Sequence, residues 1–347
     1  MEAVETKQPE ETGEELEELI ELKGVTKKFP YDRSFFGYKQ SLTAVNDITL
    51  KIYPGETLAL VGESGCGKTT TGRLILDLEE LSGGQITYKG KVRDDFTAED
   101  WQQYRQEVQV IFQDSNSSLN PRKTVKSIIR SALICSGLYR RKDKEKISAR
   151  IIELLNDVGL RPPEKFMSKY PNELSGGQRQ RIGIARALAT EPELVVADEP
   201  VSALDVSVKS QVLATLQKLQ QEKNLAYLFI SHELTIVHSV ADRIAVMYLG
   251  KIVELGTNKN VFEKAIHPYT ESLISATPIP NPRETREKER IILKGSVPSP
   301  KNPPRGCYFH PRCFYAKDIC NEKAPELETI FPGHQVACHF ARERMER

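Results

Sequence analysis

Gly62-Glu63-Ser64-Gly65-Cys66-Gly67-Lys68-Thr69, followed by Thr70, has the residue types and the spacing that enclose a polyphosphate. Glycines at these positions let consecutive backbone N–H groups point inward around phosphate oxygens. A helix starting behind the loop adds the positive end of its dipole, Lys68 a point charge, and the Thr69 hydroxyl a ligand for Mg²⁺. Such a loop works only between a strand and a helix. The apolar run 57–61 reads as a buried strand, and residues 70–76 read as the opening of a helix.

The elements that must hold this loop follow from the flanking pattern. Residues 19–25 alternate as a strand, leading to an aromatic loop with Tyr31, Phe35, Phe36 and Tyr38, and a second strand over 44–52 ends at a Pro54-Gly55 turn. Short strands are expected at 85–88, 108–112, 194–197 and 226–230. A hairpin is expected over 244–256 with Gly250 at its turn. From about 114 to 185 the periodicity turns helical, with segments near 124–136, 144–158 and 177–189; Ile147, Ile151, Leu154, Leu155 and Val158 carry the middle one. Amphipathic helix is expected over 206–222, and a short helix over 234–240. Strands alternating with helices imply an α/β nucleotide-binding sheet with a helical subdomain inserted at 114–185. No internal repeat is present, and each phosphate motif occurs once.

A chain of 347 residues exceeds one ordinary core. It is 39% hydrophobic and 28% charged, the composition of a globular protein, and no apolar run approaches the roughly 20 residues of a membrane-spanning helix. Residues 1–18 are acidic, unlike a signal peptide, and read as a disordered tail, so a cytoplasmic protein is expected. Lys plus Arg (49) balances Asp plus Glu (48), which leaves no basic field to favour nucleic acid. Cys307, Cys313, Cys320 and Cys338 crowd into the last 41 residues, and in a reducing compartment such a group suggests a metal before disulfides.

Leu174-Ser175-Gly176-Gly177-Gln178, together with the phosphate loop, Gln113 and Asp198-Glu199, resembles the ATP-binding subunit of an ABC transporter over residues 19–260. The resemblance implies a role for each matching position. Asp198 would hold Mg²⁺ beside Thr69, and Glu199 would polarise the attacking water. Gln113 would contact Mg²⁺ and report to the helical subdomain, and His232 would reach the γ-phosphate. Asp205 ends Ser202-Ala203-Leu204-Asp205, which matches the family's D-loop. Phe29 stands where an aromatic stacks on adenine, with Tyr31, Phe35, Phe36 and Tyr38 as alternatives in a lengthened loop. In this family Ser175, Gly176, Gly177 and Gln178 serve nucleotide held by the other chain. ATP would therefore join two cassettes, and hydrolysis would release them.

The long loop after Tyr31, the sequence Ser118-Leu119-Asn120-Pro121-Arg122, and His267-Pro268-Tyr269 resemble the oligopeptide/dipeptide importer subgroup, as does Gly306-Cys307-Tyr308-Phe309-His310-Pro311-Arg312-Cys313. That branch implies a second, non-identical ATPase, two transmembrane permeases and an extracytoplasmic solute-binding protein, with this chain at the cytoplasmic face of the membrane. Ser115 departs from the proline usual in those relatives. Residues 261–347 are read as an extension with a linker and a four-cysteine module. With cysteine gaps of 5, 6 and 17 residues, the resemblance implies a 4Fe–4S cluster; structural zinc, bound by the four cysteines or with His310, His334 or His339 substituting, is the alternative. Two rival functions are an importer of nickel or a glycan, and an ABC ATPase acting in translation or repair. One motif set and a compact helical segment speak against the latter.

Overall fold

In the computed structural model the chain is described over residues 17–33, 39–114, 118–277 and 290–345. Its first part runs β1 (Ile20–Arg33), β2 (Lys39–Ile52), β3 (Thr57–Val61), α1 (Lys68–Ile75), β4 (Gly83–Tyr88), β5 (Lys91–Val92), α2 (Ala98–Glu107) and β6 (Val108–Ile111). Helices α3 (Val125–Cys135), α4 (Lys144–Asp157), α5 (Glu164–Met167) and α6 (Gly176–Leu188) follow. Then come β7 (Leu194–Asp198), α7 (Val206–Lys223), β8 (Ala226–Ser231), α8 (Leu234–Val240), β9 (Arg243–Tyr248) and β10 (Lys251–Thr257). The chain closes with α9 (Asn258–Glu263), α10 (Pro268–Ser275), α11 (Asp318–Glu322), β11 (Glu328–Phe331), β12 (His334–Val336) and α12 (Ala341–Met345).

The main sheet has the order β11-β12-β10-β9-β3-β8-β7-β6, and its five strands from β9 to β6 are parallel. These strands are continuous apolar runs because both faces are covered. Alternation assigns each side chain to a face. Ala59, Val61, Val195, Ala197, Tyr227 and Phe229 face one core, shared with Ile129 of α3, Ile151 of α4, Ile182 of α6 and Leu216 of α7. Leu58, Leu60, Leu194, Val196, Leu228 and Ile230 face the other, shared with Leu74 of α1 and with Leu22, Ile48 and Ile52 of the antiparallel sheet β2-β1-β4-β5. The phosphate-loop strand is the middle of this arrangement.

Between β6 and β7 the described residues contain helices and no strand, with the three longer helices falling close to their expected positions. Their apolar faces belong to the same core as the main sheet. Helix α2 was not anticipated. A capping box starts it, with Thr97 Oγ1 accepting the Asp100 N–H and Asp100 accepting that of Thr97. Its Tyr104 packs edge-on against Tyr88 at 5.0 Å and its hydroxyl donates to the Ile75 carbonyl.

The C-terminal segment extends the main sheet: β12 pairs antiparallel with β10, with Glu254 opposite Val336 and Gly256 opposite His334. The reason is local. Glu254 is fully buried on β10, and its carboxylate accepts the N–H groups of Ile266 and His267 at 2.9 and 3.1 Å and the His334 Nε2–H at 2.7 Å. A buried carboxylate requires those donors. Most of the acidic tail, Ser115, Phe35, Phe36, Tyr38 and most of the linker lie outside the described residues, as does the side chain of Tyr31. Among the described residues no helix is long and apolar enough to cross a membrane.

Candidate active site

The loop leaves β3 at Gly62 and enters α1 at Gly67, whose φ of 112° belongs to glycine. A β-carbon there would come within 2.3 Å of the Ala44 carbonyl oxygen on β2. Lys68 is buried, and its Nζ donates to the carbonyls of Gly62 at 2.7 Å and Glu63 at 3.1 Å. The turn between β9 and β10 supports the loop from below. Leu249 and Gly250 both have positive φ, 43° and 81°, the twist that a two-residue hairpin requires. The Gly250 N–H donates to the Cys66 carbonyl at 2.8 Å, and the Gly250 carbonyl accepts the Asn46 N–H at 2.8 Å.

Strand ends bring the acidic groups to the mouth of this loop. Thr69 Oγ1, at the start of α1, donates to Asp198 Oδ1 at the end of β7, 3.1 Å away. Burial pushes the Asp198 carboxyl above its usual range and the Glu199 charge adds to that push, while the Thr69 hydrogen bond and the Arg73 and Lys68 charges oppose it. Glu199 adopts a left-handed φ of 45°, which a side-chain-bearing residue holds only where its surroundings impose it. Its N–H donates to the Ile230 carbonyl on β8 at 2.9 Å. Its carboxylate accepts Gln113 Nε2–H on one oxygen at 2.7 Å and His232 Nδ1–H on the other at 2.9 Å.

These groups border a cavity of about 700 Å³, within the size range of ligand sites. Gly62, Glu63, Ser64, Gly65, Gly67, Lys68, Thr69 and Thr70 form one wall. Gln113, Glu199 and His232 form another, and Phe29, Leu42 and Leu273 supply apolar surface. Phe29 is half-buried, with the Lys27 ammonium 4.8 Å from its ring centroid. A hydroxyl and a carboxylate oxygen side by side, from Thr69 and Asp198, are hard oxygen donors that suit Mg²⁺.

Ser175, Gly176, Gly177, Gln178 and Asp205 are not among the cavity's walls. Ser175 caps α6, accepting the Gln178 N–H at 3.3 Å, while Gln178 Oε1 accepts the Ser175 N–H at 3.1 Å. Gly177 faces Val208 of α7, the helix that Asp205 precedes, so closely that a β-carbon would meet Val208 Cγ1 at 2.3 Å.

The cysteine expectation fares differently. All six cysteines are free thiols. Burial pushes Cys307 up to about 11, with further push from Cys320, Cys338 and Cys313, so the four thiols share one neighbourhood. Burial likewise raises Cys313 to about 11. Yet among the described residues no three His, Cys, Asp or Glu side chains form a metal-holding group. The histidines considered for zinc are engaged elsewhere: His310 Nδ1 with the Cys307 carbonyl at 2.8 Å, His334 with Glu254, and His339 Nε2 with the Lys323 carbonyl at 2.8 Å. The residues as placed do not fit a resident 4Fe–4S cluster or zinc.

Two contacts to the loop escape sequence reading. Arg312 pairs with Glu63, and the Tyr269 hydroxyl accepts the Glu63 N–H at 2.9 Å. Both come from residues read only as markers of the subgroup. No local pattern announces a contact 249 residues away.

Comparison with known proteins identifies the family. The ABC transporter family model matches residues 45–202, and the model for the oligopeptide/dipeptide transporter C-terminal region matches 253–320. The chain is 46% identical to the oligopeptide transport ATP-binding protein AppF of Bacillus subtilis, over 95% of this chain and 99% of the relative. It is 44% identical to the dipeptide transport ATP-binding protein DppF of Haemophilus influenzae, over 92% of this chain and 96% of that one. Among solved structures, a dimeric ATP-binding cassette in a post-hydrolysis state with ADP and Pi bound superposes with a TM-score of 0.60 at 28% identity, covering 69% of this chain and 98% of the cassette. Fold, cavity and relatives converge: this chain belongs to the ABC transporter ATPases, among the oligopeptide and dipeptide transport ATP-binding proteins.

Proposed function

We propose that this chain hydrolyses ATP to energise the import of oligopeptides or dipeptides through transmembrane permease subunits, lying peripherally at the cytoplasmic face of the membrane. The observation that carries the catalytic part is the Glu199 carboxylate, held between Gln113 and His232 at the mouth of the phosphate loop. The peptide cargo rests on the relatives' names and on the C-terminal match.

Each residue's part follows from its placement. The loop N–H groups and the α1 N-terminus receive the phosphates, and Lys68 adds its ammonium to them. Phe29 offers its ring to the adenine. Thr69 and Asp198 would hold Mg²⁺, which when bound neutralises charge building on the phosphates. Glu199 accepts hydrogen bonds on both oxygens, which aims it at a water entering the cavity. Gln113 links that carboxylate to the helical segment, and His232 reaches for the terminal phosphate from the other side. Ser175, Gly176, Gly177 and Gln178, with Asp205, serve the site of a second cassette, because they are not among the walls of their own. Following the resemblance, that second cassette is a non-identical ATPase and an extracytoplasmic solute-binding protein delivers cargo. On this reading residues 19–260 form the cassette, 114–185 its helical subdomain and 261–347 the extension.

The 4Fe–4S or zinc reading of Cys307, Cys313, Cys320 and Cys338 rests on the resemblance alone, because the described residues form no metal-holding group. Iron and zinc analysis after anaerobic purification tests it. Absence of both would leave four structural thiols.

Glu199→Gln in the assembled transporter should retain ATP binding, lose turnover and accumulate a closed cassette pair. Normal turnover in that variant would refute the assignment of Glu199.

A further inference from the structure

The four-cysteine segment reaches the phosphate loop directly. His310-Pro311-Arg312 forms a single 3₁₀ turn between Cys307 and Cys313, and the Cys307 N–H donates to the Cys320 carbonyl at 2.8 Å at its base. Phe309 anchors the turn, packing against Tyr248 at 5.3 Å and Tyr269 at 5.4 Å. The Arg312 side chain is only 8% exposed. Its Nη1 donates to Glu63 Oε2 at 2.8 Å and its Nη2 to Glu63 Oε1 at 3.1 Å, a two-pronged pair that fixes both position and orientation. The Tyr269 hydroxyl accepts the Glu63 N–H, and Lys68 donates to the Glu63 carbonyl. Glu63 is therefore held at side chain, N–H and carbonyl, and two of the three holds come from beyond residue 260.

We infer that Arg312 is a positioning residue for nucleotide: by holding Glu63 it keeps the first arm of the phosphate loop in its binding shape, which makes the C-terminal segment a determinant of ATP affinity. This rests on the reading of the loop as the nucleotide site. An arriving phosphate draws on the Lys68 ammonium, whose N–H groups hold the Gly62 and Glu63 carbonyls, and so loosens two internal holds of the arm; the Cys66 N–H on the Glu63 carbonyl, at 3.3 Å, stays. The Arg312 pair and Tyr269 remain, so the loop N–H groups stay ordered as the charge arrives. An exposed ion pair contributes little, but this guanidinium is largely desolvated and bound at both prongs. A lysine at this position keeps the charge and loses the fork. Coupling is reciprocal, so nucleotide must also tighten the 307–313 turn.

The test titrates MgATP into the full-length chain by fluorescence and follows amide hydrogen exchange over 307–313. Arg312→Ala should weaken MgATP binding about tenfold, a typical coupling between sites. Arg312→Lys should recover little of it. Combining Arg312→Ala with Glu63→Ala should cost no more than the worse single change. MgATP should slow exchange over 307–313 in the wild type and not in Arg312→Ala. Wild-type affinity in Arg312→Ala, additive effects of the two changes, or an unchanged exchange response would each overturn the inference. Should Arg312→Ala fail to fold, Glu63→Gln carries the same test without touching the C-terminal segment. Lys68→Ala separates the premises. A wild-type chain that does not bind MgATP, or a Lys68→Ala chain that binds it normally, defeats the nucleotide reading. Loss in Lys68→Ala with none in Arg312→Ala defeats the inference alone.

Discussion

His267 is buried at the start of α10, where its Nδ1 accepts the Tyr269 N–H at 3.1 Å, a bond only the neutral ring can make. Burial, with the Arg344 charge adding to it, lowers its pKa to about 3. In the unfolded chain the ring takes up a proton near its ordinary value of 6.5. Between those values the unfolded state binds more protons than the native one, so stability falls as pH drops below about 6.5 and keeps falling toward 3. The loss should reach about 2 kcal/mol at pH 5. Denaturant titrations at pH 7 and 5 measure it, and His267→Gln should remove this part of the difference; an equal pH response in both proteins would contradict the account. At the same scale Asp198 and Glu199 show how neighbouring carboxyls diverge. One is paired with a helix-start hydroxyl, the other suspended between an amide and an imidazole.

The β9–β10 turn is the element on which the loop stands. Gly250→Val would put a branched side chain at a φ of 81° and 3.0 Å from the Ala44 carbonyl oxygen. It should cost at least about 1–2 kcal/mol in thermal or denaturant unfolding and also weaken MgATP binding, because the turn carries the Cys66 carbonyl. Unchanged binding in a destabilised variant would separate the turn from the site. Elements of this kind were legible where their signals are local. The strand runs and the loop glycines each speak through neighbours in the sequence. Glu199, Gln113 and His232 were legible as separate matches, and their convergence on one carboxylate is a product of sheet order. Helix α2 went unread because its apolar face is narrow, Trp101 and Tyr104 among charged residues, although Thr97 and Asp100 are a start signal. Arg312 and the β10–β12 pairing depend on contacts that no window of residues contains.

Taken as a whole, the molecule holds a binding cavity, and Ser175, Gly176, Gly177 and Gln178, assigned to a second cassette in the proposal, are not among its walls. The purified chain should therefore hydrolyse ATP slowly, at a rate per chain that rises with protein concentration. Full activity from a chain shown by sedimentation to be monomeric would contradict this. The β10–β12 pairing also carries a consequence for how the protein is made. One edge of β10 receives its partner strand, and the buried Glu254 the last of its three donors, 80 residues later. At a translation rate of about 5–20 residues per second, that edge stays open on the ribosome for roughly 4–16 seconds, long after every phosphate motif has emerged. An open strand edge invites pairing with other nascent chains. A message cut short before His334 would encode a chain with all its ATP residues and a sticky flank, and its fate would rest with chaperones rather than with nucleotide.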